Sequence, residues 1–182
     1  MDKNISEIAL VEELCTALAK ELAIEIRRAI TSAKVAEPVY CLTIAWSPGQ
    51  PYSLPPLIGL GLQSERSEWI AEHGVEAKDY LWNPAEFSTF DSEELEIDGT
   101  TLEHLSKVLN KKLGETGEWS AGLAMLNSVA KELGALDWGT ALTTTDDFVA
   151  YAIDYELCDL RENLKFSAPN VFATLEDAGW LP

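Results

Sequence analysis

The chain has 182 residues and a formal charge of −18, from 13 basic and 31 acidic side chains, while 47% of its residues are apolar. This length fits one domain with a sizeable core, and the six Trp, five Tyr and five Phe exclude a disordered acidic tail. A negative field of this strength repels nucleic acid and anionic lipid, so we expect neither as a partner, and it attracts basic proteins. It is also typical of a salt-adapted host, and composition leaves both explanations open.

The three cysteines, Cys15, Cys41 and Cys158, are far apart and lie among apolar neighbours. This spacing indicates reduced thiols rather than a disulfide framework or a metal site. The acidic, amphipathic N-terminus lacks the pattern of a secretion signal, and no stretch approaches the ~20 apolar residues of a membrane span. We therefore expect a cytoplasmic protein that holds no cofactor and no metal.

The first predicted element is a long helix over about residues 5–33, because apolar side chains recur there every three or four positions. The stretch VYCLTIAW, residues 39–46, is rich in β-branched and aromatic side chains and predicts a strand. A proline-rich connection leads to a returning strand at LIGLGLQ, residues 57–63. Its glycines, Gly59 and Gly61, resemble part of a phosphate loop, but no helix begins at the second, so nucleotide binding is not predicted.

Three helices are predicted in the middle of the chain. Ser64 is the expected N-cap of the first, which Gly74 ends. Thr100 and Glu103 have the spacing of a capping box and predict the start of the second. The third covers residues 119–133, where apolar side chains again recur at helical spacing.

Near the end of the chain, residues 146–166 (DDFVAYAIDYELCDLRENLKF) combine an apolar run with acidic side chains, among them Asp146, Asp147, Asp154, Glu156 and Asp159. Residues 148–153 predict a central strand buried on both faces, and Asp154 is a suitable N-cap for a following helix. Asp146 and Asp147 end the polar loop before the strand. Most of these carboxylates thus have a structural explanation.

Together the elements predict one α+β domain over residues 1–182. A small, mainly antiparallel sheet is packed by the long N-terminal helix and by several shorter helices. Neither an internal repeat nor a low-complexity segment interrupts the chain, so we draw no domain boundary.

No recognisable catalytic motif occurs in the sequence, and we assign no catalytic residue. The two histidines, His73 and His104, lie in the last and first turns of predicted helices and belong to no HxH or HExxH pattern. No GxSxG motif is present either, so a Ser-His-Asp hydrolase is not predicted. An enzyme that uses Asp146 or Asp147 to bind a metal or small ligand is the alternative to a binding protein, and a housekeeping domain of a salt-adapted cell is a third.

The densest negative charge lies between Glu86 and Asp98, where six carboxylates occur in one short stretch. Such a stretch can steer a basic protein, while neighbouring aromatic side chains can form the desolvated centre of an interface. We therefore predict a protein-binding surface that comprises Trp82, Glu86, Phe90, Asp91, Glu93, Glu94, Glu96 and Asp98.

The segment DYLWNPAEFSTFD resembles a bacterial family known as domain of unknown function 4303. The resemblance rests on a Trp-x-Pro-Ala-Glu-aromatic motif, formed by Trp82, Pro84, Ala85, Glu86 and Phe87. The later apolar strand FVAYAID, followed by the acidic YELCDL, also matches the family.

This resemblance implies an α+β fold and membership among proteins that are found beside bacterial toxins and act as immunity factors. The family has no established catalytic residues, so none are carried over. Because many toxins that attack nucleic acid are basic, the implied partner is a basic toxin domain, toward which an acidic inhibitor is steered electrostatically.

Overall fold

The computed structural model describes residues 2–50 and 53–182, with side chains from Glu7 onward. The helices are α1 (Asp2–Ala33), α2 (Gln63–His73), α3 (Lys78–Leu81), α4 (Thr100–Thr116), α5 (Trp119–Gly134), α6 (Leu160–Ser167) and α7 (Pro169–Asp177). The strands are β1 (Val39–Trp46), β2 (Leu57–Leu62) and β3 (Thr144–Asp154). These elements confirm the expected α+β domain with its long N-terminal helix.

The three strands form one sheet in the order β2-β1-β3. In β1, Leu42 lies opposite Leu60 of the antiparallel β2 and opposite Ala150 of the parallel β3. The central strand is therefore β1, and the expectation that residues 148–153 form it is wrong. The expected burial of that segment on both faces is confirmed from Val149 onward.

Alternate side chains of β1 enter two apolar cores, one on each face of the sheet. Leu42 and Ile44 belong to the larger core, which is closed by α1, α4 and α5. Tyr40 and Ala45 belong to the smaller core, which Trp82, α6 and α7 complete. The sheet is thus the middle of three layers.

The long helix α1 packs against α4 and α5 through the apolar stripe that its sequence predicts. Leu18, Leu22, Ile26 and Ile30 are fully buried members of that stripe. Its polar face is exposed, as its charged side chains require. Neither α1 nor any other described helix carries an apolar stretch long enough to cross a membrane.

The start of α2 differs from the prediction. Leu62, not Ser64, precedes the first turn, and its N–H donates to Glu65 Oε2 at 3.3 Å. The N–H of Ser64 donates to Glu37 Oε2 at 3.1 Å, so this residue lies inside the turn instead of capping it. The predicted end is confirmed, because Gly74 follows the last turn with a φ of 58°.

Two later helix starts are also displaced. Thr100 is the first residue of α4, and Gly99 takes the cap position without a side-chain hydrogen bond. Asp154 caps a turn, not a helix, since its Oδ1 accepts the N–H of Cys158 at 2.8 Å. Because Leu157 and Asp159 both adopt positive φ angles, α6 cannot begin before the residue that follows them.

Candidate functional site

The six predicted carboxylates lie on a segment that covers the outer edge of β2. We call residues 86–98 the acidic strap. Thr89 Oγ1 accepts a hydrogen bond from the N–H of Leu60 at 2.7 Å and donates one to its C=O at 2.8 Å. Because an open strand edge invites pairing with other chains, this contact both fixes the strap and protects the sheet.

Both glycines of β2 are needed for close packing. A Cβ atom on Gly59 would lie 3.0 Å from Cδ2 of Phe90 in the strap. On Gly61 it would lie 2.6 Å from Cys41 Sγ and 2.6 Å from Tyr40 Cε1. Both glycines are therefore explained by packing, since Phe90, Cys41 and Tyr40 leave too little room for a Cβ atom at these positions.

Glu65 joins the strap to α2. Its Oε2 accepts the N–H of Leu62 at 3.3 Å, and its Oε1 accepts the N–H of Ser88 at 2.9 Å. One carboxylate thus satisfies backbone groups at the end of β2 and at the beginning of the strap. The strap is held at a defined position on the sheet.

The carboxylates of the strap are accessible. All six are exposed: Glu86, Asp91, Glu93, Glu94, Glu96 and Asp98. Asp98 forms an ion pair with Arg28, which also contacts Glu25 at 2.6 Å. Among the described residues, no Lys, Arg or His nitrogen lies within 4.0 Å of the other five carboxylates. Their negative potential is therefore directed at solvent and at any approaching partner.

A groove of about 450 Å³ lies between the strap and the beginning of β2. Its apolar lining consists of Pro55, Pro56, Leu57, Ile58, Leu95 and Ile97, and its acidic rim consists of Asp91, Glu93 and Glu96. Glu94 lines a different cavity, of about 430 Å³, together with Lys34 and Glu37. Glu93 and Glu94, although consecutive in the sequence, thus border different cavities.

A partly exposed aromatic pair adjoins the acidic strap. The ring of Phe90 packs edge-on against that of Tyr155, with 6.3 Å between the centroids. Tyr155 is 46% exposed, and burial together with the Asp91 carboxylate raises its pKa. Tyr155 lies outside the surface predicted from the sequence. In the sequence, its position directly after an apolar strand indicates that it lies at the end of the sheet.

Trp82 is not part of this surface. Its side chain is 3% exposed, and its indole N–H donates to the C=O of Trp180 at 2.7 Å. Its ring packs edge-on against Tyr40 and Tyr151 in the smaller core. The predicted binding role of Trp82 is therefore corrected to a structural one, because its ring is enclosed and its only polar hydrogen is used internally.

Asp147, which the alternative hypothesis assigns to the metal or ligand site of an enzyme, forms an ion pair with Arg66. Nη1 lies 3.0 Å from Oδ1 and Nη2 lies 2.7 Å from Oδ2, while the hydroxyl of Thr145 donates to Oδ1 at 2.7 Å. Burial acts to raise the pKa of Asp147, but these hydrogen bonds outweigh it and hold the pKa below its usual 3.8. The neighbouring Asp146 is exposed. Among the side chains that the structure describes, in residues 7–50 and 53–182, no group of three or more His, Cys, Asp or Glu is placed to hold a metal ion.

Fold and surface together define a class: a single α+β domain that presents an apolar groove with an acidic rim. Compared with known proteins, the chain matches no family model, no curated protein and no solved structure. The resemblance to domain of unknown function 4303 therefore stays a prediction.

Proposed function

We propose that this is a cytoplasmic, non-enzymatic protein that binds a basic protein partner through the acidic strap. The observation that carries the proposal is the set of five exposed strap carboxylates without a cationic neighbour among the described residues. A folded protein with formal charge −18 gains no stability from concentrating further like charges on one segment. A basic partner would relieve that repulsion on binding.

The two parts of the surface have different roles in this proposal. The carboxylates increase the rate of encounter with a basic protein, and salt screens this effect over about 8 Å at physiological ionic strength. Leu57 and Tyr155 supply exposed apolar and aromatic area that a partner can desolvate, as the centre of a stable interface requires. Charge thus sets the association rate, and the apolar groups hold the complex.

The partner that we propose is the basic domain of a bacterial toxin, with this protein as its immunity factor. The support for this identity is the resemblance of the Trp82–Phe87 motif to the toxin-associated family, together with the sign and the location of the charge. A gene for a large modular toxin next to this one is the expected genomic arrangement. Purified toxin domain should then form a complex with the protein and lose its activity.

Association kinetics with that toxin domain test the role of the strap. Reversing Glu93, Glu94 and Glu96 to Lys should slow association and flatten its dependence on salt, because long-range attraction is removed. Unchanged kinetics would refute the assignment of the strap as the interface. A complex that forms equally fast at high and low salt would refute electrostatic steering.

A further inference from the structure

We infer that the groove beside the acidic strap binds a short segment of the basic partner, in which an apolar side chain lies between Lys or Arg residues. This inference rests on the proposed function and adds the site and the chemistry of the segment that occupies it. It concerns the Leu57 side of the strap, not the acidic surface as a whole.

The lining of the groove is complementary to an apolar side chain of the partner. Six of its residues are apolar, contributed by the prolines before β2, by the start of β2 and by the end of the strap. Leu57 is 36% exposed at this position, although the rest of β2 is largely buried. A concave site with an apolar floor gains free energy when a fitting apolar group displaces its water.

The acidic rim of the groove is complementary to Lys or Arg side chains on both sides of that apolar group. Asp91, Glu93 and Glu96 border the groove and have no cationic partner among the described residues. Within the part of the chain that the structure describes, they belong to no group of three or more side chains placed to hold a metal ion. Separate carboxylates around an apolar floor are instead complementary to Lys or Arg side chains that flank an apolar residue.

Glu94 provides an internal control for this inference. It belongs to the short turn Glu93–Leu95 and is exposed like Glu93 and Glu96, but it lines the other cavity. Reversal of Glu94 or of Glu96 to Lys changes the net charge by the same amount. Only Glu96 borders the groove, so docking in the groove and general attraction predict different results for the two variants.

The test uses three capped peptides, Gly-Lys-Leu-Lys-Gly, Gly-Lys-Ser-Lys-Gly and Gly-Glu-Leu-Glu-Gly, titrated into the full chain at low salt and followed by amide NMR shifts. The Lys-Leu-Lys peptide should bind about tenfold more tightly than the Lys-Ser-Lys peptide, because one apolar side chain is buried. The Glu-Leu-Glu peptide should not bind. Shifts should concentrate at Leu57, Ile58, Leu95 and Ile97.

In the variants, Glu96→Lys should weaken binding of the Lys-Leu-Lys peptide about tenfold, whereas Glu94→Lys removes only general attraction and should weaken it by a smaller factor, about threefold. Equal binding of the Leu and Ser peptides, equal losses in the two variants, or no binding of either basic peptide would overturn docking in the groove. The proposed function has its own criterion of failure: the whole partner protein would still bind after Glu93, Glu94 and Glu96 are all replaced by Lys. Both variants should unfold like the wild type, which excludes misfolding as the cause.

Discussion

The guanidinium of Arg66 holds the carboxylate of Asp147 through two parallel contacts, Nη1–Oδ1 at 3.0 Å and Nη2–Oδ2 at 2.7 Å. Arg66 is in α2, which follows one edge strand of the sheet, and Asp147 is in β3, the other edge strand. The same guanidinium lies over the ring of Tyr40 in the central strand, 5.2 Å from its centroid. One side chain of α2 therefore contacts both the central strand and β3 at this end of the sheet.

Replacement of Asp147 by Asn should lower the free energy of unfolding by about 2 kcal/mol, because Arg66 is left largely buried without its counter-charge. Asp146→Asn, at the adjacent exposed position, is the matched control and should change it by less than about 0.5 kcal/mol. Denaturant unfolding measures both. Since the pKa of Asp147 is depressed, its contribution is full above pH 3.8 and is lost as the pH falls through the lower folded value.

The packing of β2 predicts that Gly61→Ala destabilises the protein. The new Cβ would lie 2.6 Å from Cys41 Sγ and from Tyr40 Cε1, and relieving such overlap in a core costs about 1–3 kcal/mol. Gly114→Ala is the control, because Gly114 is helical and a methyl group added there would have no atom within 4 Å outside its own helical turn. That variant should gain up to about 1 kcal/mol. Equal effects at both positions would contradict the packing explanation.

Thr89→Val should loosen the acidic strap while keeping the shape of the side chain. The hydroxyl that serves both the N–H and the C=O of Leu60 is lost, at a cost of about 1–3 kcal/mol if those groups stay buried. Hydrogen exchange at the Leu60 amide should accelerate accordingly. Ser88→Ala changes an exposed hydroxyl beside it and should leave this exchange rate unchanged; acceleration in both variants would indicate a nonspecific effect.

Stability should fall at alkaline pH. Burial raises the pKa of Cys41 from 9.0 to about 12, and burial also raises that of Tyr40 and Tyr151 above the ordinary range. Because these groups bind protons more tightly when folded, the contribution of Cys41 is full below pH 9.0 and is lost as the pH rises toward 12, and that of the two tyrosines begins to be lost above pH 10.0. Unfolding measured over this range should show a shallower decline for Cys41→Ala than for the wild type. Identical slopes would show that the thiol does not titrate with unfolding.

The elements with long, regular patterns could be predicted from the sequence. The helix expected over about residues 5–33 is α1, because its apolar stripe repeats over many turns and therefore outweighs local exceptions. Residues 39–46 coincide with β1, whose β-branched and aromatic side chains fill both cores. The exposure of the strap carboxylates also follows from their density, since so many like charges cannot be buried together.

Features that depend on distant residues could not be predicted. The ion pair of Arg66 with Asp147 joins positions 81 residues apart, and neither local sequence indicates the other. The surface position predicted for Trp82 is wrong because an isolated aromatic residue gives no sign of which face it occupies. The groove needs Leu57 and Glu96 from separate segments, so only the folded chain shows it.

The binding of a basic partner by the acidic strap is tested most directly by quantitative affinity purification from the native cells with three forms of the protein. One is the wild type, one carries Glu93, Glu94 and Glu96 as Lys, and the control carries Lys at exposed positions outside the strap, Glu68, Glu72 and Glu76. Each single reversal changes the charge by two, so both variants have a formal charge of −12 in place of −18. We predict that a basic protein is retained by the wild type and by the control and is lost from the strap variant. Equal retention by all three forms, or equal loss from both variants, would contradict the assignment of the strap as the binding surface.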